Sequence, residues 1–457
     1  MSATTDSFIL GVDIGSTKVA AVVAQQKQHN GISTLEIIGI GKSQNDGVTK
    51  GDIRNAPRTK EAIRRAVDEA IRRASIQYEE LDELSANVNV GGMLVETKPE
   101  SNTITCKSPG SAVGEEDMTR LFQEVYKTAS SDLNEIIHLL PLHFGVGDEQ
   151  HIYDPIGQIG LKLSGEFRVI SARKKALQQI RQSLTEAHPL LREDMLVFSP
   201  LASGMAVLSE NHKQYGVAVV DIGGGTTDVA VYYEGVLQHV AILPFGGNHI
   251  TSDIAEGCNL NLLSAEEAKI AVGETDPAKC TINMLLIIPT ADGIPPTEVM
   301  AKNVALIARA RVREIAALVY AEIKKSGYEQ KLRAGIVLTG GSAHIKGIDT
   351  IFHEITQLHV QIGTPKGLET TGLYDQVTRD MSYSTALGLV WWSVKPLDSR
   401  MKAPKDLVID EQKNLNTGNG QQKPIKETGF QWNFKNLKDT VTGFIKDDLK
   451  GQDGYLQ

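Results

Sequence analysis

Asp221-Ile222-Gly223-Gly224-Gly225-Thr226-Thr227-Asp228 joins the apolar runs 216–222 and 228–233, and how it is read decides the fold. A buried strand ends in an aspartate. Small residues then permit φ > 0 and let backbone N–H groups approach an anion, which is the design of a phosphate-cradling turn. Taken alone, the segment also has a plain reading as a tight hairpin. The same design opens the chain, where Asp13-Ile14-Gly15-Ser16-Thr17-Lys18 follows the apolar run 8–14 and leads into a strand at 18–24. A strand, glycine turn, strand pattern met twice indicates a duplicated domain with a cleft between its halves. A third glycine element, Val337-Leu338-Thr339-Gly340-Gly341-Ser342-Ala343, follows the buried run 335–338. Here Gly340, Gly341 and Ser342 let backbone lie flat against a nucleobase or ribose, although a single element of this kind reads as an ordinary strand-to-helix turn.

The residues of these turns suit one chemistry. The backbone at Gly15, Gly223, Gly224 and Gly225 and the hydroxyls of Ser16, Thr17, Thr226 and Thr227 offer donors to phosphate oxygens. Lys18 adds a cation. Asp13 and Asp221, beside the phosphates, are suited to holding Mg²⁺ through water.

Composition narrows the partners. With 457 residues, 41 % hydrophobic and 23 % charged, the chain can fill two to four domain-sized units with real cores. A net charge of −9 argues against nucleic acid, which requires clustered cationic surface. The three cysteines, Cys106, Cys258 and Cys280, lack the paired spacing of a disulfide framework or a zinc site. No apolar run reaches the roughly 18 residues of a spanning helix, and the opening residues lack a basic leader, so a membrane would be met from its surface.

Along the chain, strands are expected at 8–14, 18–24 and 35–41, then a helix at 58–74 whose Ala62, Ile63, Ala66, Val67, Ala70 and Ile71 form one stripe. A different unit begins near Ser85, with strands at 88–95, 103–106, 135–145 and 160–172 and a helix at 117–129. Helices are expected at 174–186 and 200–210, and after the second glycine turn at 250–256, 265–271, within 297–325, and at 382–394. His138 and His143 have no partners at ligand spacing and read as core or surface histidines. Residues 395–428 turn polar, as a tether does. Beyond it, Phe430, Phe434, Leu437, Val441, Phe444 and Ile445 recur at intervals of three and four, with Lys435, Lys438 and Lys446 among them. That stripe suits a helix lying in a lipid headgroup layer, or one docking on the body or on another protein.

In their order, the three glycine elements resemble the phosphate-1, phosphate-2 and adenosine loops of the actin, sugar-kinase and heat-shock-chaperone superfamily. Pro200-Leu201-Ala202-Ser203-Gly204-Met205-Ala206 and Ser384-Thr385-Ala386-Leu387-Gly388-Leu389 resemble its two connecting helices. Within the superfamily, Ile136-Ile137-His138-Leu139-Leu140-Pro141-Leu142-His143-Phe144 and Asp154-Pro155-Ile156-Gly157 resemble the insert of the FtsA family, and the likeness runs colinearly through residues 8–394. It implies an α/β duplicated actin-like (ribonuclease-H-like) fold with an inserted α+β subdomain in the first half and a flexible C-terminal tail. The parts would be subdomain 1A at 8–84 and 169–210, the insert 1C at 85–168, a second half at 211–380 with 2B at about 255–330, the second connecting helix at 381–395, a linker at 396–428 and a membrane-targeting helix at 429–450.

The resemblance further implies a cell division protein that binds ATP and Mg²⁺, polymerises, anchors FtsZ filaments to the cytoplasmic face of the cell membrane at the septum, and recruits later division proteins. Arg311, with Lys302 and Arg309 nearby, falls where the family grips the FtsZ C-terminal peptide; a solvated basic helix face is the plainer reading. One residue departs from the superfamily. Where many members carry a Glu or Gln that orients the attacking water, this chain has Ser199, which implies slow or absent hydrolysis. The alternatives are an ATP-dependent small-molecule kinase, for which no carboxylate base is found, and the PilM group, which shares the insert but lacks the tail.

Overall fold

The computed structural model describes residues 7–394 apart from 30–31, 77–83, 109, 189–190, 281–283, 289–295, 367–368 and 371–373. The tether at 396–428 and the segment at 429–450, with Phe430, Phe434, Leu437, Val441, Phe444 and Ile445, lie outside the described residues.

Strands β1 (Ser7–Ile14), β2 (Lys18–His29) and β3 (Ile32–Gln44) are neighbours in one sheet, β1 and β2 antiparallel across the first glycine turn. A small ribbon, β4 (Val48–Thr49) with β5 (Asp52–Ile53), precedes α1 (Ala56–Ala74). The Asn55 side chain caps this helix by accepting from Arg58 N–H, and Ser75, at φ 58°, ends it. Its stripe from Ala62 to Ile71 packs with Leu10, Val12 and Val23 into the first core.

Strand β6 (Leu84–Val90) runs parallel to β1. The sequence suggested one strand over 88–95; instead the chain breaks at Gly91-Gly92. Gly92 has φ +72°, and a Cβ there would lie 2.1 Å from the Lys50 carbonyl oxygen, so only glycine permits the approach. After a helical turn come β7 (Val95–Thr105), α2 (Glu115–Ala129), β8 (Asn134–Val146), β9 (Glu149–Ile152) and β10 (Lys162–Arg173). They make a four-stranded sheet, β7-β10-β8-β9, around a core containing Phe122, Phe144 and Phe167. His138 is buried, whereas His143 lies beside Glu166 at 3.4 Å.

Helix α3 (Lys174–Ala187) returns the chain to the first sheet, where β11 (Leu191–Phe198) pairs parallel with β6. This strand escapes sequence reading because Leu-Arg-Glu-Asp-Met-Leu-Val-Phe shows neither alternation nor an unbroken apolar run. Helices α4 (Ser199–Val207) and α5 (Glu210–Tyr215) lead to β12 (Val217–Ile222), β13 (Thr227–Tyr233) and β14 (Val236–Leu243). Then follow α6 (Gly247–Gly257), α7 (Leu262–Val272), the hairpin β15 (Leu285–Ile288) and β16 (Thr297–Met300), and α8 (Ala301–Lys325). The remaining elements are β17 (Ile336–Thr339), α9 (Ile348–Thr356), β18 (Val360–Ile362), β19 (Glu369–Thr370) and α10 (Ser384–Trp392).

The duplication is explicit in the pairing. β1 is antiparallel to β2 and parallel to β6; β12 is antiparallel to β13 and parallel to β17. The sheets, β11-β6-β1-β2-β3-β19 and β14-β13-β12-β17-β18, sandwich α4 and α10 in a shared core that includes Val22, Leu201, Val219, Tyr232 and Leu387. These two helices cross at backbone contact: a Cβ on Gly388 would lie 1.8 Å from the Ala202 carbonyl oxygen. Among the described residues no helix is long and apolar enough to cross a membrane.

Candidate nucleotide site

The two glycine turns close identically. Gly15 N–H donates to Lys18 O at 2.9 Å, and Gly223 N–H donates to Thr226 O at 3.0 Å. They also face each other. A Cβ on Gly224 would come within 2.4 Å of Thr17 Cγ2, and one on Gly225 within 2.7 Å of Ser16 Oγ, so the turns meet only because glycine has no side chain. Asp13, Gly15, Ser16, Thr17, Lys18, Asp221, Gly223, Gly224, Gly225, Thr226, Gly340 and Gly341 line one cleft. Gly340, at φ +89°, passes so close to Asp221 that a Cβ would lie 2.3 Å from its Oδ1.

Two expected donors are used elsewhere. Thr227 is fully buried and its hydroxyl donates to Phe245 O at 2.8 Å, because the strand begins at that residue and turns the side chain inward. Ser342 Oγ donates to Gly223 O at 3.3 Å, fastening the third loop to the second.

Asp221 and Asp228 are directly opposed in the β12–β13 ladder, and both line the cleft with Asp13. Burial pushes the Asp221 carboxyl up to about 6, with the charge of Asp13 adding to the effect. Burial, then the charge of Asp221, pushes Asp228 up to about 8. Burial also raises Asp13, opposed by Lys18, whose Nζ stands 3.6 Å from Asp13 Oδ2. Lys18 Nζ and Asp228 Oδ1 are buried with no hydrogen-bond partner. A buried ammonium whose ion pair with Asp13 is long and a buried carboxylate oxygen without a hydrogen bond are costly, and an anion beside the first and a cation or its water beside the second would relieve both. The donor set therefore fits a phosphate with a divalent cation. Among the described residues no three His, Cys, Asp or Glu side chains converge as a metal cage. That is compatible with Mg²⁺, which commonly takes one or two carboxylates and completes its shell with phosphate oxygens and water. Bound to Asp13 and Asp221, it would neutralise phosphate charge.

Several contributors were not anticipated. Asn89 accepts from Ile14 N–H at 2.6 Å and donates to Ser199 Oγ at 3.3 Å, linking the first turn to the start of α4. Asp228 stood within the quoted motif but was read only as the start of a strand. Thr385 Oγ1 donates to Asp221 Oδ2 at 3.2 Å, tying the second connecting helix to the cleft. On the third-loop side, Lys269 Nζ donates to Gly247 O at 3.3 Å and pairs with Glu266 at 2.6 Å.

The basic residues of α8 form a separate region. Arg311 donates from Nε to Asp253 Oδ2 at 2.6 Å and from Nη2 to Asp253 Oδ1 at 3.0 Å. Arg309 and Arg313 both bind Glu354, at 3.1 and 2.9 Å. Lys302 is exposed in the first turn of the helix.

The family description "Cell division protein FtsA" matches residues 218–388, and "SHS2 domain inserted in FTSA" matches residues 92–171. The chain is 31 % identical to cell division protein FtsA of Pseudomonas aeruginosa over 388 residues, 85 % of this chain and 89 % of that one. Against cell division protein FtsA of Borreliella burgdorferi it is 32 % identical over 385 residues, 84 % and 90 % of the two chains. The solved PilM–PilN type IV pilus biogenesis complex superposes with a TM-score of 0.60 at 15 % identity, covering 85 % of this chain and 99 % of that one. At that identity it speaks to fold alone: a duplicated actin-like architecture with an inserted subdomain.

Proposed function

The chain belongs to the FtsA family of cell division proteins, and we propose that it is an ATP-binding adaptor that polymerises, captures the FtsZ C-terminal peptide and lies on the cytoplasmic face of the cell membrane at the septum. The observation that carries the reading is the convergence of three glycine loops on one cleft that holds a buried Lys18 Nζ without a hydrogen bond and a crowd of buried carboxylates. Phosphates would rest on Gly15–Lys18 and Gly223–Thr226, the nucleoside against Gly340-Gly341, and Mg²⁺ near Asp13 and Asp221. With Ser199 at the head of α4, ATP serves as a structural ligand more than a fuel, since a short hydroxyl is a poor base.

Peptide capture is assigned to Arg311 with Lys302 and Arg309, lipid contact to the stripe Phe430, Phe434, Leu437, Val441, Phe444 and Ile445, and recruitment of later division proteins to the insert. Sedimentation with liposomes, ATP and FtsZ tests the whole. The intact protein should carry FtsZ down with the vesicles, deletion of 429–457 should abolish vesicle binding, and Arg311→Glu should leave the protein on vesicles without FtsZ. Vesicle binding that survives the deletion would remove the membrane role from the tail.

A further inference from the structure

The N-terminus of helix α6 is seated on the phosphate-2 turn. Gly247 N–H donates to Gly223 O at 2.9 Å, and Asn248 N–H to Gly224 O at 2.8 Å. A Cβ on Gly246 would lie 2.6 Å from Gly223 O, so the turn and the helix start are in backbone contact and cannot slide independently. Farther along, the same helix carries Asp253, which takes the Arg311 guanidinium on both carboxylate oxygens. The remaining nitrogen, Nη1, goes to Glu314. The Arg311 and Asp253 side chains are 20 % and 30 % exposed, so the pair is within reach of a partner but already made.

A guanidinium has two edges that can take a carboxylate, as Arg181 shows by holding Glu135 and Glu193 together, and on Arg311 the Nε–Nη2 edge is taken by Asp253. A carboxylate-bearing peptide that engages the Nε–Nη2 edge of Arg311 must displace Asp253 from it. The neighbouring arginines offer no free substitute, because Arg309 and Arg313 share Glu354.

Resting on the role of Arg311 proposed above, we propose that Asp253 is an internal stand-in for the partner's carboxylate, and that α6 makes the exchange depend on what the phosphate-2 turn holds. A ligand that draws in Gly223 and Gly224 carries the N-terminus of α6 with it. The helix transmits that displacement as a rod to Asp253, and a bidentate pair loses its alignment with small shifts. Nucleotide and acidic peptide are then coupled, and by linkage each must change the other's affinity by the same factor.

The test is fluorescence anisotropy of a labelled FtsZ C-terminal peptide on the full chain, with and without Mg-ATP. It compares the unmodified protein with Asp253→Asn, Asp253→Ala and Arg311→Gln, each checked for an unchanged melting transition. Without nucleotide, both Asp253 variants should bind the peptide at least about 5-fold more tightly, the lower end of ordinary coupling. The unmodified protein should respond to Mg-ATP, and the Asp253 variants should respond little. If neither variant gains affinity while Arg311→Gln loses the peptide, the stand-in is overturned and the reading of Arg311 survives. Equal affinity of the unmodified protein with and without Mg-ATP overturns the link through α6. Peptide binding untouched by Arg311→Gln would instead overturn the assignment of Arg311 and this inference with it.

Discussion

The backbone N–H of Phe198 donates to His138 Nε2 at 3.1 Å, where strand β8 of the insert meets the residue that precedes helix α4. On another side the imidazole leans on the Trp392 indole of α10, ring centroids 5.1 Å apart. One side chain thus joins the insert to both connecting helices. It accepts this bond only while neutral, with its proton on Nδ1.

Burial pushes the His138 pKa down to about 3 from the ordinary 6.5 of an imidazole. The folded state therefore binds fewer protons than the unfolded one across that interval, and the stability owed to this group is complete above pH 6.5 and lost as pH falls toward 3. His138→Phe should remove that part of the acid limb. It should also cost about 1–3 kcal/mol at neutral pH by stranding the Phe198 N–H. Denaturant unfolding across pH measures both.

Asp228 acts with the opposite sign. Its folded pKa, raised to about 8 from 3.8, means that ionisation is paid for in the folded state, so without ligand stability falls as pH rises from about 4 to about 8. Asp221, raised to about 6, adds to the lower part of the same window. Asp228→Asn should stabilise the ligand-free protein at pH 8 and flatten the decline in melting temperature. Mg-ATP should narrow the gap between the two proteins.

Lys18 offers a buried ammonium with no hydrogen-bond partner. Lys18→Met should lower ATP affinity roughly 10- to 100-fold, as expected for about 1.5–3 kcal/mol from a charge-assisted bond. The melting temperature without nucleotide should fall at neutral pH, since Asp13, 3.6 Å from Lys18 Nζ, loses its cation among buried carboxylates. Calorimetric titration beside a thermal scan separates the two effects.

Two glycine substitutions should fail differently. Gly388→Ala forces a methyl to 1.8 Å from the Ala202 carbonyl oxygen and should cost on the order of 3 kcal/mol of stability, read by denaturant unfolding. Gly340→Ala meets Asp221 Oδ1 at 2.3 Å with φ +89°, and its main loss should be nucleotide binding.

Much of this was legible because glycine and aspartate at strand ends carry their geometry with them. The turns after β1 and β12 and the stripe of α1 follow from local pattern, whereas the crossing of the two small-residue helices comes from the superfamily resemblance. What stayed hidden was set by tertiary context. β11 is held in its sheet by pairing with β6, a partner far away in the chain, and its own residues have no strand period. Thr227 looked like a donor until the strand register turned it inward. Asn89 could not be recognised as part of the cleft, because the pairing of β6 with the distant β11 brings it beside Ser199. Arg311 was identified as a basic residue on a helix, but its engagement by Asp253 depends on how α6 packs on α8.

The contact between α10 and the first sheet bears on how the chain is made. A Cβ on Gly11 of β1 would sit 2.8 Å from the Ala386 carbonyl oxygen, and Asn87 Nδ2 of β6 donates to Leu389 O at 2.8 Å. The opening strands are therefore roofed by a helix translated nearly four hundred codons later, at 384–392. While a ribosome is still producing the second half, the apolar side of the first, with Ala20, Val22 and Ile37, has no native cover. A nascent chain in that state is a client for a holdase, and it cannot be released as a finished amino-terminal domain. Cutting the gene between the halves would sever the lid from the box.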